Sequence, residues 1–325
     1  MSSWRPTPRR WPRTGGCSAW RPGTTPRSAT RTGRPRSGRS GTAAGIDEGV
    51  RHREKWRLAL DMLDEMINRW GLPELPVAAD SGYGDCTVFR LGLAERGLRY
   101  AVQVDPDATA HPGDAAPVTP PYTGRGRPPK PAYPDPPATF KDLVLAAGQA
   151  GARRVTWRRG SRRTSSNPTA AMRSHFLRLW VQPANRDIPR SPDGTLPEVW
   201  LIAEWPPGAA EPVKYWLSNL DTRTSLKTLV RLAKLRWRVE HDYRELKTGL
   251  GIDHFEGRSF VGWHRHVTLA VLAQAFCILL RLDPKSRCAG LTLYAVLREL
   301  QQLLTVMAGA GQTCKRPYDN VTKYY

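Results

Sequence analysis

The sequence predicts a mixed α/β fold, with strands and helices alternating early, a β-rich stretch in the middle and helices at the end. Three observations predict it. Apolar residues recur at spacings of three and four in long segments near both ends; short apolar runs bounded by Gly, Pro and Asp lie between helices; and four β-patterned stretches follow one another in the middle. At 325 residues and 40% apolar, the chain suffices for one large domain or two smaller ones.

Arg51 to Trp70 carries Trp56, Leu60, Leu63, Met66 and Ile67 between charged residues, which predicts a helix closed by Gly71 and followed by a Pro73–Pro76 turn. Pro76 to Ala79 is a short apolar run fitting a buried strand, and it ends at Asp80. Ser81-Gly82-Tyr83-Gly84 reads as a turn, with Asp85 as cap of a helix from Cys86 to Arg96. Arg99 to Val104 alternates as a strand. Residues 105–137 are dense in Pro and Gly and read as a linker or exposed loop. Its Arg125-Gly126-Arg127-Pro128 is either a solvated turn or, less simply, a hook for the DNA minor groove.

A short helix is predicted at Phe140–Ala147, then strands at Arg153–Arg158, His175–Val181, Val199–Glu204 and Lys214–Leu220. Thr224 to Leu250 reads as one long helix with a stripe through Leu226, Leu229, Leu232, Leu235, Val239, Tyr243, Leu246 and Leu250. The apolar run Val267–Leu280 is too short to span a bilayer and reads as a buried core helix, so no membrane partner is expected. The organisation expected is a leader over 1–45, a core segment over 46–104, a Pro-rich linker and β-rich insertion over 105–212, and a second core segment over 213–325.

The net charge of +21 and pI near 10.4 point to a polyanionic partner. Ten arginines and no acid lie in residues 1–45, which leaves roughly +11 on the rest. That leader has no Leu, Val, Phe or Tyr and cannot bury enough apolar surface to order itself; its composition is also what GC-rich DNA encodes out of frame. We read it as a disordered, out-of-frame or mis-started leader. The five cysteines show no paired metal spacing and imply reduced thiols in a cytoplasmic setting.

The most chemically informative stretch is Arg236-Trp237-Arg238-Val239-Glu240, with Lys247 seven residues on. Along one helix face, at roughly 100° per residue, Arg236 lies about 40° and Lys247 about 20° from Glu240, so an acid projects with a base on either side. Such a group can hold a divalent ion beside nucleic-acid phosphates. Taken singly, Asp80 reads equally well as a turn starter, Arg236 and Glu240 as an ordinary i, i+4 pair, and Lys247 as a solvated charge.

Together these blocks resemble a known family. Asp80-Ser81-Gly82-Tyr83-Gly84-Asp85 looks like the second-aspartate block of the DDE insertion-sequence transposases, and Arg236, Glu240 and Lys247 match the Arg-x3-Glu-x6-Lys spacing of their third-acid block. Ala233 stands where that signature has Tyr. His254 to Arg258 and Gly262 to His266 resemble its continuation, so the likeness covers residues 46–325.

The resemblance implies a ribonuclease H-like core with an insertion before the last acid. It makes Asp80 and Glu240 catalytic metal ligands and Arg236 and Lys247 DNA contacts. It also implies two Mg (or Mn) ions, double-stranded DNA at transposon ends and target as substrate, and action as a homodimer. Trp157 or Trp180 would then stack on a displaced base or pack in the core. No residue supplies the first acidic ligand. Asp47 and Glu48 precede the first helix and are not on an apolar strand, so the core is expected to lack its first strands and the chain to be a truncated, inactive copy. Two other functions stay open: a non-catalytic DNA binder that inhibits an intact transposase, and an unrelated nuclease using Asp80 and Glu240 alone.

Overall fold

A computed structural model describes residues 45, 46, 49, 51–124, 126–160 and 163–308. These fall into two compact units, one of His52–Arg238 and the other of the residues up to Arg51 together with those from Val239 on. The expected leader, Asp47, Glu48 and Arg125 of the basic loop lie outside the described residues.

The first unit is built on one eight-stranded sheet. Helix α1 (Lys55–Asp64) runs into a π-helical turn at Glu65–Arg69 and leads to strand β1 (Val77–Ala79). A single helical turn, α2 (Ser81–Gly84), and helix α3 (Thr87–Glu95) return the chain to β2 (Tyr100–Val104), which pairs parallel to β1. Next come β3 (Thr109–Pro112), β4 (Ala138–Thr139), helix α4 (Phe140–Ala147), β5 (Arg153–Arg159), β6 (Ala171–Pro183), β7 (Val199–Glu204) and β8 (Lys214–Ser218). The sheet order is β1-β2-β8-β7-β6-β3-β4, with β5 paired to β6, and every pairing except β1–β2 is antiparallel.

Alternation along the strands divides the core between the two sheet faces. Tyr100, Val102, Leu201, Ala203 and Leu217 pack on one face with Phe89 and Leu93 of α3 and Leu60 of α1. Gly92 makes that packing close, because a Cβ there would lie 2.5 Å from Leu60 Cδ1. Ala101, Phe176, Ile202 and Trp216 fill the other face under helix α5 (Leu226–Ala233), whose Leu229 and Val230 are fully buried. The mixed α/β architecture agrees with a ribonuclease H-like fold.

Several expectations are corrected. Residues 105–137 are not all loop: β3 and β4 begin and follow them in the main sheet, although Pro and Gly hide any periodicity there. The strands of 105–212 and those of 77–104 share one sheet. The long helix of 224–250 is divided: after α5 a 3₁₀ turn at Lys234–Arg236 precedes helix α6 (Trp237–Thr248). Asp85 does not cap α3. Cys86 holds the N-cap position, and the Asp85 carboxylate instead accepts the Asp105 backbone N–H at 2.7 Å.

The second unit comprises most of α6, helix α7 (Phe260–Leu282) and helix α8 (Leu293–Ala308). Leu246 packs with Val267, Ala270 and Val271, while Cys277, Cys288, Leu293 and Val296 form a second cluster. Glu245, buried on α6, accepts hydrogen bonds from Arg281 on α7. The expectation of a short, buried helix at 267–280 is corrected as well. Helix α7 continues at both ends to 23 residues, long and apolar enough by length and composition to cross a membrane. Its Leu269, Leu272, Phe276 and Leu279 are exposed, because apolar residues surround the helix and only one side meets the clusters. Cys86, Cys277 and Cys288 are free thiols.

Candidate active site

Asp80 sits where β1 runs into α2. Its backbone is extended (φ −83°, ψ 179°), and its carbonyl accepts from the Tyr83 and Gly84 N–H groups at 3.1 and 2.7 Å. Its carboxylate makes no capping bond to the turn that follows, so it remains available to other partners.

Glycine at 84 is required by close approach: a Cβ would lie 1.9 Å from the Gln103 carbonyl oxygen on β2. Beneath the turn, half-buried Arg90 donates to the Gly84 carbonyl and to Thr87 Oγ1. Burial lowers the Arg90 pKa; burial likewise raises that of Asp85, helped by the charges of Asp105 and Asp80. The loop holding Asp80 is thus fixed from below by β2 and a half-buried guanidinium.

The 3₁₀ turn at Lys234–Arg236 supplies the second half of the site. Arg236 Nη1 lies 3.7 Å from Asp80 Oδ2, and both side chains are half-exposed. At that length the contact is an ion pair rather than a hydrogen bond, reachable by solvent and by a phosphate.

Two residues earlier, Lys234 is held differently. Its ammonium is bonded to the buried Glu204 carboxylate and lies 4.8, 5.2 and 5.6 Å from the ring centroids of Trp157, Trp216 and Phe176. Burial lowers its pKa, against the opposing pull of Glu204. Trp237, immediately after the turn, is stacked by the Arg158 guanidinium at 3.2 Å. Sequence reasoning missed this cage, whose three rings come from β5, β6 and β8. The two tryptophans raised as base-stacking candidates both have packing partners within the unit. Trp157 belongs to the cage, and Trp180 packs edge-on against Trp200 while donating to Glu198.

Glu240 and Lys247 are exposed on α6 and belong to the second unit, whereas Asp80 and Arg236 belong to the first. Within α6, seven residues bring Lys247 to about 20° from Glu240, as the spacing predicts. Arg236 is the last residue of the 3₁₀ turn that precedes α6.

Next to Glu240 the structure adds a group that the motif spacing did not single out. Ligand atoms of His241, Asp242 and Glu245 lie within 4.8 Å of one another. The His-Asp-x-x-Glu spacing was its visible signal. Arg281, 3.3 Å from Glu245 Oε1, already neutralises the buried member, so the group reads as part of the α6–α7 packing. Of the downstream histidines, His266 Nε2 is 2.9 Å from the Gly251 carbonyl, and exposed His264 packs edge-on against Phe260 and Trp263.

Residues 40–164 match the family described as DDE superfamily endonuclease. The matched stretch contains Asp80 and its turn, and ends before Arg236, Glu240 and Lys247. No curated protein matches the chain. The match supports a nuclease of the DDE superfamily, whose substrate is nucleic acid and whose members generally depend on divalent metal ions.

Proposed function

We propose that this chain is a transposase of the insertion-sequence type, acting on double-stranded DNA at element ends and at the target. The observation that carries this reading is the approach of Arg236 to Asp80: two sequence blocks far apart in the chain, one inside the matched stretch and one beyond it, meet at 3.7 Å. Asp80 and Glu240 are each assigned as a ligand for Mg²⁺ or Mn²⁺. Both are hard oxygen donors on exposed or half-exposed side chains, and such ions are commonly bound through one or two carboxylates together with substrate phosphates. A bound ion supplies Lewis-acid stabilisation of the phosphodiester and activation of the attacking oxygen. Arg236 and Lys247 would bind phosphates and orient the strand.

Low cleavage by the isolated chain is part of the proposal. A second reading, a DNA binder that does not cut, is favoured by the net charge of +21. Plasmid cleavage in Mg²⁺ and Mn²⁺ separates them when run beside DNA binding. The transposase reading expects weak metal-dependent cleavage that Glu240→Gln abolishes with binding intact. Binding with no cleavage at any metal concentration leaves the second reading; metal-dependent cleavage indifferent to Glu240→Gln overturns the site assignment.

A further inference from the structure

Between Asp142 and Asp187 the chain has nine arginines and no acidic residue. The β5–β6 hairpin carries most of them. The first part of β6, Ala171 to His175, finds its ladder partners in β5, whereas pairing with β7 begins at Phe176, so this part of the hairpin is a two-stranded ribbon beyond the β7 ladder. Its two faces differ.

On one, Val155, Trp157 and Phe176 pack into the core, Arg158 stacks on Trp237, and Arg178 donates to the Thr224 carbonyl and lies over Trp200. These arginines serve the fold. A register shift between Thr156 and Arg158 keeps the pattern in step, so that Arg154, opposite His175, Arg159, opposite Ala171, and Arg173, opposite Thr156, share the other face. All three are exposed, and among the described residues none is paired with a carboxylate. Four residues of β6 separate the outer pairs, a span of about 14 Å, close to the roughly 12 Å width of a major groove that admits a two-stranded ribbon.

We propose that this ribbon face is a second DNA-binding surface, separate from the Asp80 turn, which binds the phosphate backbone of duplex DNA without reading its sequence. Charge complementarity identifies the occupant: three unpaired guanidiniums on one rigid face suit phosphate oxygens, which accept two N–H groups from each. The proposal deepens the transposase reading, but its test does not depend on cleavage.

The test is the salt dependence of binding by the full chain to two duplexes of unrelated sequence, for wild type, Arg154→Gln/Arg159→Gln/Arg173→Gln and the matching triple Lys variant. Each phosphate contact contributes about 0.9 to the slope of log K against log salt. The Gln variant is therefore expected to lose about 2.7 from the slope, equally on both duplexes, and the Lys variant to keep most of it. A Gln variant with the wild-type slope, or a loss confined to one sequence, overturns the proposal. So does a Lys variant no better than Gln, because the loss would then be structural. If the slope falls as expected while no metal-dependent cleavage is found, this inference stands and the transposase reading fails. If the slope is unchanged while cleavage is found, the reverse holds.

Discussion

Lys234 and Arg236 are two cations on one 3₁₀ turn, and the structure uses them in opposite ways. Lys234 is 16% exposed and bonded to a Glu204 that is 9% exposed, inside a cage of three aromatic rings. Arg236 is 38% exposed, 3.7 Å from an Asp80 that is 46% exposed. Ion pairs of the same charge type therefore differ in what they can do. The buried one is costly to break and cannot be reached by a ligand; the open one contributes little to stability and can exchange its partner for a phosphate or an ion. The turn is fixed at one residue so that it can present another.

The largest effect is expected from breaking the buried pair. Lys234→Met leaves the Glu204 carboxylate buried without its cation, which should cost about 3 kcal/mol in urea unfolding. Lys234→Met combined with Glu204→Leu should regain most of that loss, because replacing both charges removes the orphan. An equal loss in the double variant would mean that the aromatic packing, not the pair, holds the turn.

Arg236→Ala sharpens the comparison from the other side. Its stability should lie within about 0.5 kcal/mol of wild type. DNA cleavage should fall on the order of 100-fold, the scale of a removed electrostatic contact to the reacting group. Cleavage and unfolding measured on one preparation give both numbers, and a destabilised variant with normal specific activity would reverse the division of labour.

The smallest effect concerns a third pair, Arg96 with Asp64, which joins α3 to α1 through two 2.7 Å bonds at intermediate exposure. The Arg96 hydrogen bond holds the Asp64 carboxyl below its ordinary value. Its contribution is thus present above the unfolded aspartate pKa and lost as pH falls through the folded value. With both side chains about a third exposed, solvent screening limits the contribution to about 1 kcal/mol or less. Asp64→Asn should therefore lower stability at pH 7 and flatten its fall in acid; parallel pH curves for both proteins would contradict this.

Where local pattern was strong the sequence was readable. β7 alternates between the two sheet faces with both covered, so its six residues are all buried and the first five, Val199 to Ala203, read as a continuous apolar run. Of the stripe read over 226–235, Leu229 is fully buried and Leu235 is exposed; Val230 and Ala233, outside that stripe, complete the buried face of α5, because the face is set by the sheet beneath it. What local pattern could not supply depends on partners distant in sequence. The cage around Lys234 needs rings from three strands. The break at Lys234–Arg236 follows no Gly or Pro, and Asp85 finds a backbone N–H of Asp105 in place of the helix end beside it. The exposed leucines of α7 were misread for the opposite reason: hydrophobicity alone does not say which side of a helix is covered. For the candidate site, the family resemblance singled out Asp80, Glu240, Arg236 and Lys247, but the meeting of Asp80 with Arg236 is a property of the fold.

The most direct test of the Asp80 assignment is Mn²⁺ binding to wild type and Asp80→Asn in the presence of duplex DNA, followed by the spectroscopic signal of the bound ion, with cleavage measured on the same samples. The account predicts that Asp80→Asn binds DNA as wild type does, holds Mn²⁺ at least tenfold more weakly, and loses cleavage. An Asp80→Asn protein with wild-type Mn²⁺ affinity and wild-type cleavage would contradict it, and would return Asp80 to the role of a residue that starts a turn.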